Sequence, residues 1–239
     1  MRRIVRISRG LLSGAFFLLY GLFALPFALV LPLPIVSKRN GRRIIRFFYR
    51  CFVFLAHVTG LYTVEVAGGA TARTAGGTGR VVVMNHVSLI DICVLLANLG
   101  DAVCIAKSAT ARNPFLAAEV RKLFIANDGG GPAELAEAAE YISAGVDVVI
   151  FPQGTRGGAK LRRGAARLAL ATGARIVAYN IAYDPVVLAK GQPWWDVGDR
   201  VIRIRLERRG ELAPEGPNDR PAAVALTKRI GELIGAAEG

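Results

Sequence analysis

The first 64 residues contain no aspartate and no glutamate; the first acidic residue is Glu65. Ten arginines and lysines fall in that stretch, so it carries +10 of a net charge of +13. A chain this basic raises nucleic acid as a partner. No nucleic-acid-binding motif accompanies the charge, however. The basic residues flank or interleave with long apolar runs, as suits an anionic membrane surface. Cysteine is scarce and odd in number: Cys51, Cys93 and Cys104. With no C-x-x-C and no Cys/His spacing, a disulfide scaffold and a structural zinc site are excluded. The three thiols are expected to be reduced and to pack as small hydrophobes. Histidine is rarer still, at His57 and His86 only. No internal repeat is visible, and no low-complexity tract beyond the loop 67–80.

Long apolar runs are present. Residues 11–36, LLSGAFFLLYGLFALPFALVLPLPIV, carry no charge. A spanning helix needs about 20 apolar residues, so the run is long enough. It is too long for a signal-peptide core and ends in prolines and Lys38-Arg39 rather than a small-residue cleavage site. Basic residues on both sides predict that both flanks stay cytoplasmic. Pro26, in mid-run, is expected to break or kink a helix. Over 42–56 a second apolar stretch carries Arg42, Arg43, Arg46 and Arg50 on one helical face, opposite Ile44, Ile45, Phe47, Phe48 and Phe52. Such a helix lies in the membrane interface. The two stretches together predict a two-helix hairpin, over residues 1–60, that anchors the chain in the inner membrane, with a plain single span as the simpler alternative. His57 ends this element as a structural residue.

From residue 61 short runs rich in Val and Ile alternate with helical stretches. Strands are predicted at 61–66, 80–84, 102–106, 122–126, 147–151, 175–182 and 200–207. Helices are predicted at 88–99, 113–121, 132–144, 163–172 and 219–235. This alternation predicts an α/β domain over 61–239, built on a mixed, largely parallel sheet flanked by helices.

Two strand ends carry chemistry. After the strand at 80–84 comes Asn85-His86-Val87-Ser88-Leu89-Ile90-Asp91. Histidine is the side chain suited to take a proton from a hydroxyl near neutral pH. A carboxylate one helical turn away can fix its tautomer and stabilise the imidazolium. The same four residues, Ser88 to Asp91, also read as a capping box in which Asp91 only caps a helix. After the strand at 147–151 comes Phe151-Pro152-Gln153-Gly154-Thr155-Arg156-Gly157-Gly158. Turns of this kind bind anions through backbone N–H groups, and an arginine clamps phosphate or carboxylate. Lys160, Arg162 and Arg163 extend the basic patch. An ordinary strand-to-helix loop with solvated charges is the plainer reading.

Together, N-H-x-x-x-x-D and F-P-x-G-T-R, separated by some 65 residues, resemble the signature of the glycerolipid acyltransferases of the lysophosphatidic acid acyltransferase type, over roughly residues 10–210. The resemblance implies transfer of a fatty acyl chain from acyl-CoA or acyl-carrier protein to a hydroxyl of a lysophospholipid-like acceptor, such as a 1-acylglycerol-3-phosphate. It implies His86 as general base oriented by Asp91, with Gln153, Gly154, Thr155 and Arg156 in the acceptor site, joined by Lys107 or Arg112. No metal and no bound cofactor is implied. The stretches around Lys107, Arg112-Asn113-Pro114-Phe115, Ile125-Ala126-Asn127-Asp128, Arg163-Gly164-Ala165-Ala166 and Lys190-Gly191-Gln192-Pro193-Trp194-Trp195 are similar to a bacterial subgroup associated in part with aryl-polyene lipid synthesis.

Two positions depart from the family pattern. Gln153 stands where the family has glutamate, keeping shape and hydrogen bonding but not charge. Asn127 stands where many members have a phosphate-binding arginine, which removes a strong fork for phosphate. Both departures bear on the acceptor and leave His86 and Asp91 intact. Gln153 alone supports one alternative, a catalytically weakened membrane-associated protein that binds lipid on the same fold.

Overall fold

A computed structural model of the chain describes residues 2–68, 77–107, 122–127, 131–193 and 195–235. The predicted helix at 113–121 and the site candidate Arg112 lie outside the described residues. Seven strands form one sheet: β1 (Tyr62–Ala67), β2 (Val81–Met84), β3 (Ala102–Lys107), β4 (Phe124–Asn127), β5 (Asp147–Ile150), β6 (Ile176–Asp184) and β7 (Ile202–Leu212). Their order is β1-β7-β6-β2-β5-β3-β4. All neighbours pair in parallel except β6 and β7, which are antiparallel. The expected mixed, largely parallel sheet is therefore what forms.

β2 and β5 are short and buried throughout because both faces of the sheet are covered. On one face lie α2 (Lys38–Val58) and α3 (Asp91–Asn98). On the other lie α4 (Pro132–Ser143), α5 (Gly164–Thr172) and α6 (Arg220–Ile234). β7 runs five residues past its expected end at 207. Its polar tail, ERRGEL, does not read as a strand, but it gains a ladder along β6 down to Ile176 opposite Leu212.

At the N-terminus, α1 (Arg2–Val30) begins well before the uncharged run and passes through Pro26 without ending. The expected break at Pro26 does not occur; the helix closes four residues later, where Leu31 N–H donates to Phe27 O at 2.8 Å. Ser37 then caps α2, its hydroxyl accepting from Asn40 N at 3.2 Å. The two helices meet through aromatic rings. Phe16 packs on Phe52 with centroids 5.3 Å apart, Phe27 on Phe48 at 4.2 Å, and Tyr20 OH donates to Phe48 O at 2.6 Å. Away from this seam and from the contacts of Arg6 and Arg9, α1 is largely exposed. The stretch Arg3–Phe27 has mean hydropathy 1.8 over a window only 11% buried, so by length and composition it can cross a membrane. Leu18, Leu19, Phe47 and Phe54 are all more than half exposed.

The arginines behave differently from a purely lipid-facing set. Arg42 is 6% exposed and grips Asp101 with both Nε (2.7 Å) and Nη2 (2.9 Å). Arg50 Nε donates to Ala97 O at 3.0 Å. Arg9 donates to the carbonyls of Gly60 and Leu61, and Arg6 pairs with Asp196 at 2.7 Å. The expected arginine face of α2 thus docks in part on the sheet domain. Burial would place Arg42 at a cost in desolvation, and the bidentate carboxylate offsets it.

A second buried pair ties the entry of β2 to that of β5. Asp147 accepts from Arg80 N at 2.9 Å, Nε at 3.2 Å and Nη2 at 2.7 Å. Replacing Asp147 by Ala leaves Arg80 buried and uncompensated. It should cost about 3–5 kcal/mol, read as a fall in thermal or denaturant midpoint. Asp101 gives a pH signature. Burial alone raises its carboxyl, but the Arg42 hydrogen bonds outweigh burial and hold it below the usual aspartate range. The folded pKa is depressed, so the pair's stabilisation is full above the unfolded value and is lost as pH falls through the folded one. Asp101→Asn should lower stability at neutral pH and flatten that acid limb, measured by thermal melts across acid pH.

Candidate active site

The C-terminal ends of β2 and β5 lie side by side at the centre of the sheet, so the two motif loops meet there. This is where ligands bind in open α/β sheets. His86 follows β2. Its Nδ1 lies 2.7 Å from Asp91 Oδ2. Asp91, the first residue of α3, is fully buried. The same Oδ2 accepts from Val87 N at 2.7 Å and Ser88 N at 2.9 Å. Oδ1 accepts from Tyr183 OH at 2.6 Å. Val87 N, Ser88 N and Tyr183 OH all donate to the carboxylate, so the imidazole that shares Oδ2 donates from Nδ1 and its Nε2 is left for the cavity that His86 lines.

The capping-box reading is half right. Ser88 N–H reaches Asp91 as a box requires, but the Ser88 hydroxyl caps nothing, and α3 has no side-chain cap. Asp91 both closes the loop and orients the histidine. Helix α3 starts three residues later than predicted because 88–90 form this turn.

The second loop supports the first. Gln153 Oε1 accepts from His86 N at 2.6 Å, and Gly157 N donates to His86 O at 2.8 Å, so the histidine backbone is held from both sides. The Phe151 ring packs on the imidazole with centroids 4.4 Å apart. The His86 contact needs only an acceptor oxygen, which the amide of Gln153 retains although it lacks a carboxylate's charge. Gly154 has φ of +68°, and a Cβ there would come within 2.8 Å of Arg162 Nε. Glycine at this position lets the Arg162 side chain lie across the turn.

A cavity of about 1740 Å³ opens over these loops. Among the sequence candidates, His86, Gly154 and Lys107 line it. Arg156 does not; its Nη1 donates to Leu188 O at 2.7 Å and so ties the loop to the segment after β6. Thr155 stays in the turn, where its carbonyl accepts from Gly158 N at 3.1 Å. Asn127, at the end of β4, lines the cavity with Lys107. His57 sits in the last turn of α2. The cysteines are free; Cys104 is buried, and burial pushes its thiol pKa up. Among the described residues, no three His, Cys, Asp or Glu side chains converge as metal ligands would.

Sequence reasoning missed Tyr183 and the role of Asn85. Burial raises the Tyr183 phenol well above its usual range, and the Asp91 charge adds to this, so the hydroxyl stays protonated and donates. Asn85 mimics a strand partner: its Nδ2 donates to Ile181 O at 2.9 Å and its Oδ1 accepts from Ile181 N at 2.7 Å. Tyr183 is 92 residues from Asp91, and only the inward alternation of β6 could have pointed to it.

Tyr183→Phe removes a donor from a buried carboxylate, so about 1.5–3 kcal/mol of stability should be lost, together with activity, as read by thermal melt and turnover. Gln153→Leu should lower turnover by freeing the His86 backbone, whereas Gln153→Glu, which retains an acceptor oxygen, should keep more of it; equal losses would remove this role.

The model of a family described as Acyltransferase matches residues 63–182. No curated protein matches the chain. Among solved structures, the chain is similar to the crystal structure of the 1-acyl-sn-glycerophosphate (LPA) acyltransferase, PlsC, from Thermotoga maritima. That match has a TM-score of 0.69 and 23% identity and covers 99% of each chain. At that identity the likeness speaks for the fold.

Proposed function

The chain belongs to the acyltransferase family, and on that premise we propose that it moves a fatty acyl chain from a thioester, acyl-CoA or acyl-carrier protein, to the hydroxyl of a lysophospholipid-like acceptor. The observation that carries the reading is the Asp91–His86 contact at 2.7 Å, with the imidazole edge at a large cavity. A binding protein has no need of an oriented general base beside its ligand.

The acceptor hydroxyl docks beside His86 Nε2. As its oxygen attacks the thioester carbonyl, a C–O bond forms and the hydroxyl proton passes to Nε2. Asp91 stabilises the imidazolium through Nδ1–H, and Tyr183 and the two backbone donors keep the carboxylate in place. Lys107 and Arg162 at the cavity wall favour the oxyanion and any phosphate next to the acceptor hydroxyl. The tetrahedral intermediate then collapses, the C–S bond breaks, and His86 returns the proton to the leaving sulfur. No serine nucleophile is needed, because the acceptor attacks directly. Gln153, Gly154, Thr155 and Arg156 serve the acceptor site by fixing the loop around it. The apolar, exposed flank of α1, with α2 beside it, holds the enzyme in the cytoplasmic membrane, where acceptor and product reside. Residues 1–60 form the anchoring unit and 61–239 the catalytic domain.

His86→Ala should lower turnover by about 10²–10⁴-fold without unfolding, and Asp91→Asn should do so by a similar factor. Thiol release by the detergent-purified protein, offered acyl-CoA and acyl-carrier protein with a panel of lyso-acceptors, measures this. An active His86→Ala variant would sink the mechanism. No release by folded wild-type protein would favour the lipid-binding alternative.

A further inference from the structure

The cavity over the catalytic pair has two unlike ends. Toward α1 and α2 its wall is apolar, with Phe17, Leu18, Leu22, Leu25 and Phe52. Across the sheet, at the start of α5 and α6, the wall carries Lys160, Arg163, Arg167 and Arg220. These four are exposed, and among the described residues none of their side chains makes an ion pair or a hydrogen bond. Glu134 is the single carboxylate among the described lining residues. α5 adds the positive end of a nine-residue helix with no side-chain cap. Some cations elsewhere in the chain are closely paired, as at Arg42–Asp101 and Arg80–Asp147. Four cations without a carboxylate partner among the described residues thus share one cavity wall.

An acyl thioester has the same polarity as the cavity. One end is an alkyl chain, the carbonyl follows, and beyond the sulfur a long neutral arm ends in a phosphate. We propose that Lys160, Arg163, Arg167 and Arg220 receive the phosphate of a phosphopantetheine arm, the chemistry that acyl-CoA and acyl-carrier protein share. The inference rests on the acyltransferase reading above. A lysophospholipid's phosphate is only a few bonds from its reacting hydroxyl and is left to Lys107 and to Arg162, which lies against the Gly154 turn. The phosphate of the donor is separated from the thioester carbonyl by the whole arm, so with the acyl chain toward α1 the arm reaches the basic end in the other helix layer. Arginine forks suit phosphate oxygens bidentately.

The test compares three donors on the detergent-purified full chain: acyl-CoA, acyl-carrier protein, and acyl-pantetheine, which lacks the phosphate. The variants are Arg163→Gln with Arg167→Gln, and separately Arg220→Gln. The wild type should prefer the phosphorylated donors. In the variants that preference, as the ratio of kcat/KM values, should fall by about tenfold through donor KM, with acceptor KM unmoved. A general folding defect lowers all donors alike and leaves the ratio intact. Loss confined to acyl-CoA or to acyl-carrier protein identifies the source of the arm. An unchanged ratio, or a rise in acceptor KM instead, overturns the proposal. Equilibrium binding of free CoA and of the carrier protein bearing its arm gives a readout independent of turnover. Binding weakened by the variants, with no turnover in the wild type, would refute the transferase reading and keep the site.

Discussion

The Asp91 carboxylate is fully enclosed, and four donors converge on it: the His86 ring, two consecutive backbone N–H groups, and the Tyr183 hydroxyl. A buried charge is tolerable only when it is satisfied to this degree. Satisfying it forces the chain to turn sharply after β2, begins α3 at residue 91, and brings β6 against the same loop. The requirement that stabilises the fold locally is also the one that sets the imidazole tautomer. The geometry of the proposed base is thus a by-product of solving an electrostatic problem in the core.

The second loop repeats the economy. Gln153 and Gly157 hold the His86 backbone, Arg156 holds Leu188, and Leu188 in turn accepts from Leu89 N at 3.1 Å. These contacts join the strand ends of β2, β5 and β6 into one frame around the histidine. Such a frame would keep the proposed base within the small tolerance that proton transfer needs. It also gives the departure at 153 a physical meaning, because an amide oxygen can make the contact that fixes the histidine while lowering the negative charge beside it.

The N-terminal segment shows a division of labour within single helices. Aromatic side chains join α1 to α2, arginines clamp α2 to the sheet domain, and the remaining apolar surface is left outward. A helix whose charged residues bind protein carbonyls and carboxylates can lie against lipid with fewer free charges than its sequence suggests. The cavity opens on this side with an apolar wall and on the other with a basic one.

Much of this was legible in the residues. Strand positions at β2, β5 and β6 followed from Val and Ile runs, because a sheet covered on both faces demands them, and the two motif loops were found at strand ends. The long apolar run announced α1. Three features were decided only by tertiary structure. Pro26 did not end α1, β7 extended because β6 offered a partner for a polar tail, and α2's arginines turned inward because Asp101 and the Ala97 carbonyl were waiting. The histidine with its aspartate, and each of the two acyltransferase motifs, are written within short stretches of sequence, since each depends on a local turn. Tyr183, the anchoring of Arg156 and the two-ended cavity depend on groups far apart in sequence. Local spacing determines which chemistry is available; packing of distant strands determines where it faces and what can reach it.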